Sequence, residues 1–564
     1  MISRRRILRR DPRLDLQAAL PSTLHPVLRR VYGARGIAKP ADLELRLDHL
    51  LPVSSLGGVE QAAELLLRLH QMRGKVLIIG DFDADGATST ALMLRHLTRL
   101  GFATPDFLVP DRFRFGYGLT PEIVRVAAER KPDLIVTVDN GISSLEGVAE
   151  ARRLGIDVLV TDHHLPGREV PEAVCIVNPN ARGNTFASKM LAGVGVAFYV
   201  MAALTHAMRQ HNLLPTGVDT SPAQWLDLVA LGTVADVVPL TGVNRVLVRW
   251  GLEELARTRR VGLAALKRVA GIAPGAVTAG QVGFRLGPRI NAAGRLDDAG
   301  RGVRLLLESD PTRAAALADE LDRENRSRQE IEREILEQAL AQAEERVRGG
   351  ARGLVLSSER WHPGVIGIVA SRVVERFHRP AVLVGVADGV GKGSGRSIEA
   401  FHLYDALDAC AGHLTRFGGH KHAAGITIDP ARIAAFREAF EGIASARLGD
   451  DDLVPRCRIE GRVAAADLSE RAALALEGLA PWGAGHPEPL FALRARPGRA
   501  RTVGATGAHL KLTLGAGLDA IGFGLGDRLA ACEGEVEAAV SLGFEEWDGR
   551  RRLQLRIKDL RQAA

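Results

Sequence analysis

Cysteine is scarce in this 564-residue chain. The four present, Cys175, Cys410, Cys457 and Cys532, are isolated, so no CxxC pair is available for structural zinc and no disulfide framework can form, as in a protein kept in a reducing compartment. Long apolar runs are missing as well. None reaches the ~18 residues that a membrane-crossing helix needs. The arginines Arg4, Arg5, Arg6, Arg9 and Arg10 lead into Asp11-Pro12-Arg13, where a secretion signal would carry its apolar core. The expected location is therefore the cytoplasm, with no membrane as partner. A hydrophobic fraction of 46% and a charged fraction of 25% are those of a globular protein. A chain of 564 residues exceeds what one hydrophobic core serves, so three or more domains are expected. The net charge of +7 suits a polyanionic partner without requiring one.

The most telling absence is local. No Lys or Arg lies between Gly80 and Arg95, although Asp81, Asp83 and Asp85 occupy alternate positions there, directly after the apolar run Val76-Leu77-Ile78-Ile79. Such a run reads as a buried parallel strand, and the C-terminal end of such a strand is where open α/β sheets bind ligands. Three like charges there need a compensating cation, and a divalent metal supplies one. The pattern recurs. Residues 134–138 run into Asp139-Asn140-Gly141, residues 158–161 into Asp162-His163-His164, and the helical stretch 225–234 into Ala235-Asp236. Strand and helix alternation brings successive strand ends to one sheet edge, so these pieces can converge. Carboxylates mixed with imidazole suit manganese or magnesium, and a di-metal site is expected.

These four ordered motifs resemble those of the DHH phosphoesterase superfamily. Together with the C-terminal half described below, they resemble the RecJ family of single-strand-specific exonucleases over residues about 45 to 560. The resemblance implies a parallel-sheet α/β DHH domain, a long helix, a smaller α/β DHHA1 domain and a β-barrel OB-fold. The expected boundaries are 1–50 for a basic N-terminal arm packed on the first domain, 51–308 for the DHH domain, 309–348 for the linking helix, 349–448 for DHHA1 and 457–564 for the OB-fold. It also implies that Asp139 bridges two cations, that Asp83 serves one, completed by Asp81, and that Asp85, His163 and Asp236 serve the other. Pyrophosphatase relatives carry a metal-binding His before the first acidic motif. Here that region holds Leu77-Ile78-Ile79, so Asp81 or a water must substitute. His164 is expected as a phosphate donor or proton carrier, with Asp162 and Asn140 orienting the ligands.

Farther along, Ser309-Asp310-Pro311 reads as a helix start with Ser309 as cap, and the helix has a polar stretch from Asp322 to Glu330, as in helices that bridge domains through solvent. Two Gly-rich segments follow, 391–397 and 418–425. The first is no P-loop, because Gly393 stands directly after Lys392, where that motif needs Ser or Thr. With Arg396 and the His-bearing second segment it reads instead as a surface that a phosphate-sugar backbone approaches closely. By the DHHA1 resemblance, Ser394, Arg396, His420 and His422 hold the strand. The loop 111–118, with Arg112, Arg114 and Tyr117, joins phosphate-clamping guanidinium groups to stacking rings. In the segment 287–295, with Arg289, Asn291 and Arg295, small residues let a backbone come close and the two arginines can hold it. Both match RecJ-type motifs and by that match form a 5′-end pocket. In the last hundred residues Arg494, Arg496, Arg499, Arg501 and Lys511 cluster, and Leu553, Leu555 and Ile557 alternate with polar residues as in a half-buried strand. Aromatic groups for stacking are few there: Trp482, Phe491, Phe523, Phe544 and Trp547.

The expected activity is hydrolysis of single-stranded DNA from the 5′ end to mononucleotides, dependent on Mn²⁺ or Mg²⁺, in repair and recombination. A helicase and a single-strand-DNA-binding protein are the candidate loading partners, and a monomer is the default state. The alternatives are a DHH phosphodiesterase for short oligoribonucleotides or cyclic dinucleotides, and a catalytically inactive DNA-binding scaffold.

Overall fold

In the unit formed by Glu44–Arg326 with Ala480–Pro487, five parallel strands stand in the order Asp106–Leu108, Val76–Gly80, Leu134–Val138, Asp157–Thr161, Cys175–Val177. The computed structural model describes residues 5–37, 44–111, 115–296, 298–515, 517–547 and 550–563. Val76–Gly80 and Leu134–Val138 are buried at every position, as expected of strands covered on both faces. Register matters more than burial here. Gly80 pairs with Val138, Val138 with Thr161, and Thr161 with Val177, so the residues that follow each strand, Asp81, Asp139, Asp162 and Asn178, come out in one row. The ladder extends one step beyond the strands. The Asp81, Asp139 and Asp162 N–H groups donate to Val138, Thr161 and Val177 carbonyls at 3.3, 3.0 and 3.1 Å. Helices Ala84–Arg99, Gly193–Gln210 and Leu226–Ala235 pack into the same core.

The second unit holds residues 1–43, 327–479 and 488–564 and has two principal sheets. The first runs Arg416–Gly419, Ala423–Ile428, Val390–Arg396, Ala381–Ala387, Leu354–Ser358, antiparallel except for the last pair. The Gly-rich segment read as a backbone-approach surface is its central strand, so its peptide N–H groups belong to the ladder. Its glycines face the core because neighbours fill the space: a Cβ at Gly393 would fall 2.5 Å from the Ile426 side chain, and one at Gly395 2.9 Å from Leu403. That leaves Lys392, Ser394 and Arg396 on the other face. The second sheet is seven-stranded and ends in the long hairpin of Val536–Trp547 and Arg550–Gln562. Leu555 and Ile557 are buried and Arg556 and Lys558 exposed, as alternation predicts, but Gln554 is also buried and donates to Glu545 at 2.6 Å. A register shift at Ala539/Val540 then turns both Asp559 and Leu560 inward.

Helix Pro311–Arg348 spans 38 residues. Its cap is Asp310 rather than Ser309: the Asp310 carboxylate accepts from the Arg313 N–H at 2.8 Å, because Pro311 at the first helical position makes the residue before it the cap. Its polar middle is not solvated all round. Asp322, Asn325 and Arg328, three apart on one face, are buried. Asp322 pairs with Arg289 at 2.8 Å and Arg326 at 2.6 Å, and Arg328 with Glu332 at 2.6 Å. Charge partners on neighbouring elements let a polar face be buried, and those partners are invisible to periodicity.

The N-terminal arm also departs from expectation. Arg6–Arg9 pairs in parallel with Arg456–Ile459 and belongs to the C-terminal unit, while Leu47 and Leu50 pack on the core of the first. Glu460 beside it is buried, receives the Arg35 guanidinium at 2.7 Å and lies 3.6 Å from Arg10. Among the described residues no helix is long and apolar enough to cross a membrane. Replacing Glu460 by Ala removes the buried carboxylate that pairs with Arg35, and we expect a loss on the order of 3–5 kcal/mol in urea unfolding, with Mn²⁺ binding to the other unit unchanged.

Candidate metal centre

Each acid of the first motif is placed by a different device. Asp81 turns back on its own strand end and accepts from the Phe82 N–H at 2.7 Å. Asp83 is the N-cap of helix Ala84–Arg99, its Oδ1 accepting from the Asp85 and Gly86 N–H groups at 2.9 and 3.0 Å. Asp85 is buried and accepts at both oxygens from the first N–H groups of helix Gly193–Gln210, Gly193 and Val194, each at 2.8 Å. The positive end of that helix thus faces the acids where the chain has no cation. Gly193 is what permits the approach: a Cβ there would sit 2.6 Å from Asp139 Oδ1. Gly232 does the same behind Asp85, where a Cβ would fall 2.8 Å from its Oδ1. The sequence reading missed both glycines. The only sign was the run Gly193-Val194-Gly195 at a helix start.

The remaining donors converge on this cluster. Asp139 adopts φ +62°, a left-handed conformation rare outside glycine, and is buried. His163 Nε2 lies 3.0 Å from Asp139 Oδ1 and 3.7 Å from Asp236 Oδ2. Asp139 Oδ1 and His163 Nε2 are both buried, and neither makes a hydrogen bond. Two polar atoms buried face to face with no hydrogen-bond partner fit a shared cation. Donor atoms of Asp81, Asp83 and Asp139 lie within 4.8 Å of one another, as do those of Asp85, His163 and Asp236 and those of Asp139, His163 and His164. The donor set is all carboxylate and imidazole, which suits manganese or magnesium.

The electrostatics agree. Burial first, and then neighbouring carboxylates, push Asp85 up to about 7 and Asp236 up to about 9, and raise Asp139 as well. Burial, then the charge on His164, pulls His163 down to about 4. Burial also acts downward on His164, but the hydrogen bond and charge of Asp162 outweigh it and hold the imidazole at about 9. Asp162 is saturated by that 2.7 Å bond to His164 Nδ1 and by the N–H groups of Ile142, His163 and His164. It orients His164 instead of facing the pocket. Asn140 braces the floor, donating to the Ile79 and Val138 carbonyls at 3.2 and 2.9 Å. Tyr117 is half exposed, and its hydroxyl stands 3.3 Å from His164 Nε2 and 3.4 Å from the Asp139 carbonyl oxygen.

With this geometry in place, comparison with known proteins is decisive. The DHH family N-terminal domain matches residues 75–233, the DHHA1 domain residues 350–446 and the RecJ OB domain residues 459–559. The single-stranded-DNA-specific exonuclease RecJ of Salmonella typhimurium is 43% identical, with 99% of this chain and 100% of the relative covered. The chain belongs to the RecJ family. The crystal structure of RecJ in complex with Mn²⁺ from Thermus thermophilus matches with a TM-score of 0.85 at 36% identity, covering 100% of this chain and 80% of that one. The Mg²⁺ complex from the same organism matches with a TM-score of 0.78 at 33% identity, covering 100% and 79%. The expected architecture of DHH, DHHA1 and OB domains in that order is therefore that of a RecJ family member.

The residues expected to hold DNA are placed unevenly. Arg112 and Arg114 lie outside the described residues. Arg289 is committed to Asp322 and donates to the Arg285 and Val269 carbonyls, and the Asn291 amide oxygen accepts from the Ala84 N–H at 2.6 Å. Both make these contacts within protein, where their segment forms helix Gly287–Leu296 beside the first acidic loop. Arg295 lies on that same helix and is half-buried. In the second unit Arg396 donates to Ser394 Oγ at 3.1 Å. A Cβ at Gly367, in the first turn of helix Ile366–Phe377, would lie 2.9 Å from that oxygen. His420 and His422 are exposed at the tip joining Arg416–Gly419 to Ala423–Ile428.

A group whose folded pKa is raised favours the folded state at low pH and loses that advantage as pH rises through the folded value. Asp85, Asp236, Asp139 and His164 are all raised, whereas the lowered His163 contributes no further change above its usual 6.5. Chelated protein should therefore lose thermal stability between pH 7 and 9. Mn²⁺ should reverse the loss, and calorimetry in buffers of different ionisation enthalpy should record proton release on binding.

Proposed function

We propose that this protein is a metal-dependent exonuclease that hydrolyses single-stranded DNA from the 5′ end to mononucleotides, with Mn²⁺ or Mg²⁺ as cofactor. The observation that carries the chemistry is the buried, unpaired face of Asp139 Oδ1 and His163 Nε2 among four further carboxylates. The choice of single-stranded DNA rests on full-length similarity to single-stranded-DNA-specific exonucleases. In this reading Asp81, Asp83 and Asp139 hold one cation and Asp85, His163 and Asp236 the other, with Asp139 shared. Such a pair, when bound, lowers the pKa of water and neutralises charge developing on the phosphate. His164, kept cationic by Asp162, presents Nε2 to the pocket, where it donates to a phosphate oxygen or supplies the proton that the leaving 3′ oxygen takes up. Asp162 and Asn140 keep these groups in register and meet no substrate. Tyr117, edge-on to His164 with ring centroids 5.9 Å apart, supplies a ring at the pocket mouth for an unpaired base.

Residues 51–308 form the catalytic region in this proposal, 309–348 the linking helix, 349–448 the region that grips the strand, and 457–564 the platform for single-stranded DNA. Ser394 and Arg396 support that grip, since a half-buried guanidinium beside a hydroxyl and a helix start is suited to phosphate oxygens. Arg501 and Lys511 are cross-strand neighbours, and such like-charge pairs are unfavourable until an anion lies between them. Phe523 is 64% exposed and is available for stacking, whereas Phe491 is core and Phe544 is covered by the Arg551 guanidinium; the Trp547 side chain lies outside those described. We place the protein in the cytoplasm as a monomer, served by a helicase and a single-strand-binding protein.

Asp139→Ala should fold and lose activity by on the order of 10³-fold. Strands labelled at the 5′ end should release label first. Early release from the 3′ end would refute the polarity, and faster turnover of dinucleotides than of long strands would refute the substrate. Arg396→Ala should raise KM with little change in kcat, and lower the slope of log affinity against log salt by about 0.7 for one lost phosphate contact.

A further inference from the structure

Asp236 closes helix Leu226–Ala235, and the next residue, Val237, takes φ +62°. A β-branched residue seldom adopts that conformation, and Val237 is 69% exposed, so core packing does not hold it there. Strain of this kind persists only where the surroundings over-determine it. On the near side the helix does so, with the Asp236 N–H donating to the Gly232 carbonyl at 2.9 Å. On the far side two holds are visible. The buried Asn244 amide donates to the Pro239 carbonyl at 3.1 Å and the Met190 carbonyl at 2.5 Å. The Leu240 N–H donates to the Ala484 carbonyl at 2.7 Å.

That second hold comes from far along the chain. Residues 480–487 belong to the same compact unit as Asp236, although the residues before and after them belong to the other. The excursion is a tight turn closed by reciprocal bonds between Gly483 and His486 at 3.0 and 3.2 Å, with the Trp482 ring stacked on His486 at 4.9 Å and 14°. Trp482 is thus occupied within the turn rather than offered to bases. Gly485 has φ +68°, and a Cβ there would meet Pro239 Cβ at 2.8 Å and Thr241 Cγ2 at 3.3 Å. The proline ring cannot swing aside, so the turn seats against Pro239 only with glycine at this position. Gly483 lies against the more yielding Leu240 side chain, 2.7 Å from Cδ1 by the same measure.

We propose that the Trp482–His486 turn is a positioning element for the Asp236 carboxylate, clamping the strained Val237 turn so that Asp236 stays directed at the cation. This rests on the reading of Asp236 as a metal ligand. A C-terminal segment thereby sets the affinity of a centre whose ligands all lie before residue 237.

The test is Mn²⁺ titration of the full chain, read by the electron paramagnetic resonance of free Mn²⁺, alongside steady-state kinetics. Gly485→Ala should weaken the weaker Mn²⁺ at least fivefold and lower kcat at limiting Mn²⁺, with excess Mn²⁺ restoring it and KM for single-stranded DNA unchanged. Gly217→Ala, at φ +73° with nothing within 4 Å of the added methyl, should titrate like wild type and controls for glycine strain. Val237→Gly added to Gly485→Ala should recover most of the affinity, because glycine takes the left-handed turn without a clamp. The proposal is overturned if folded Gly485→Ala binds Mn²⁺ within twofold of wild type, or if Val237→Gly gives no recovery. Should Gly485→Ala not fold, Gly483→Ala, whose methyl meets only the Leu240 side chain, must still weaken binding at least twofold, and no change overturns the idea. A wild type that binds no more Mn²⁺ than Asp139→Ala overturns the metal reading and this inference with it.

Discussion

The structure is organised around an unfavourable interaction: carboxylates crowded at the ends of parallel strands, with no Lys or Arg in the stretch from Gly80 to Leu94 that carries three of them. Asp85 and Asp139 are buried and Asp236 half-buried, and burial, then the neighbouring carboxylates, makes each hold its proton more tightly than an ordinary carboxyl. The chain answers with peptide dipoles as well as the His164 imidazolium. The first turn of helix Gly193–Gln210 donates to both oxygens of Asp85, and helix Ala84–Arg99 is capped by Asp83. Neutral dipoles can hold such groups in place without filling the pocket, which leaves the charge itself for divalent ions to neutralise.

The acids and imidazoles are divided by what already occupies their atoms. Asp162 has spent its lone pairs on three peptide N–H groups and His164, so it fixes a neighbouring imidazole in its cationic form. Asp139 and His163 have spent nothing on the atoms that face each other. That contrast, more than proximity alone, separates atoms left open to a cation from groups already spent on their neighbours. It also explains the backbone. Left-handed Asp139 and Val237 are each secured by bonds on both sides, and conformational cost of this kind gathers where a side chain must be aimed.

Away from the acids, the same sequence features serve different ends according to their neighbours. Glycines at 391, 393 and 395 make room for Ile428, Ile426 and Leu403 in a central strand, while Gly193 and Gly485 make room for a helix start and a proline ring. Arginine is equally varied. Arg289 and Arg35 close buried ion pairs within protein, whereas Arg396 is half-buried beside a hydroxyl at a helix start.

The order of the three domains was legible through family resemblance, and the sequence by itself determined the parallel-sheet architecture and the residue types at each strand end. These follow from local pattern: apolar runs fix buried strands, the alternation with helices fixes a parallel sheet, and the acids sit one residue beyond each run. Tertiary structure alone decided the rest. It made a Gly-rich segment a central strand, moved the basic arm to the C-terminal unit, buried the polar middle of the long helix against Arg289, and drew residues 480–487 beside Asp236. Each of these depends on partners tens to hundreds of residues away, and a side chain's role is set by which of its atoms those partners leave free.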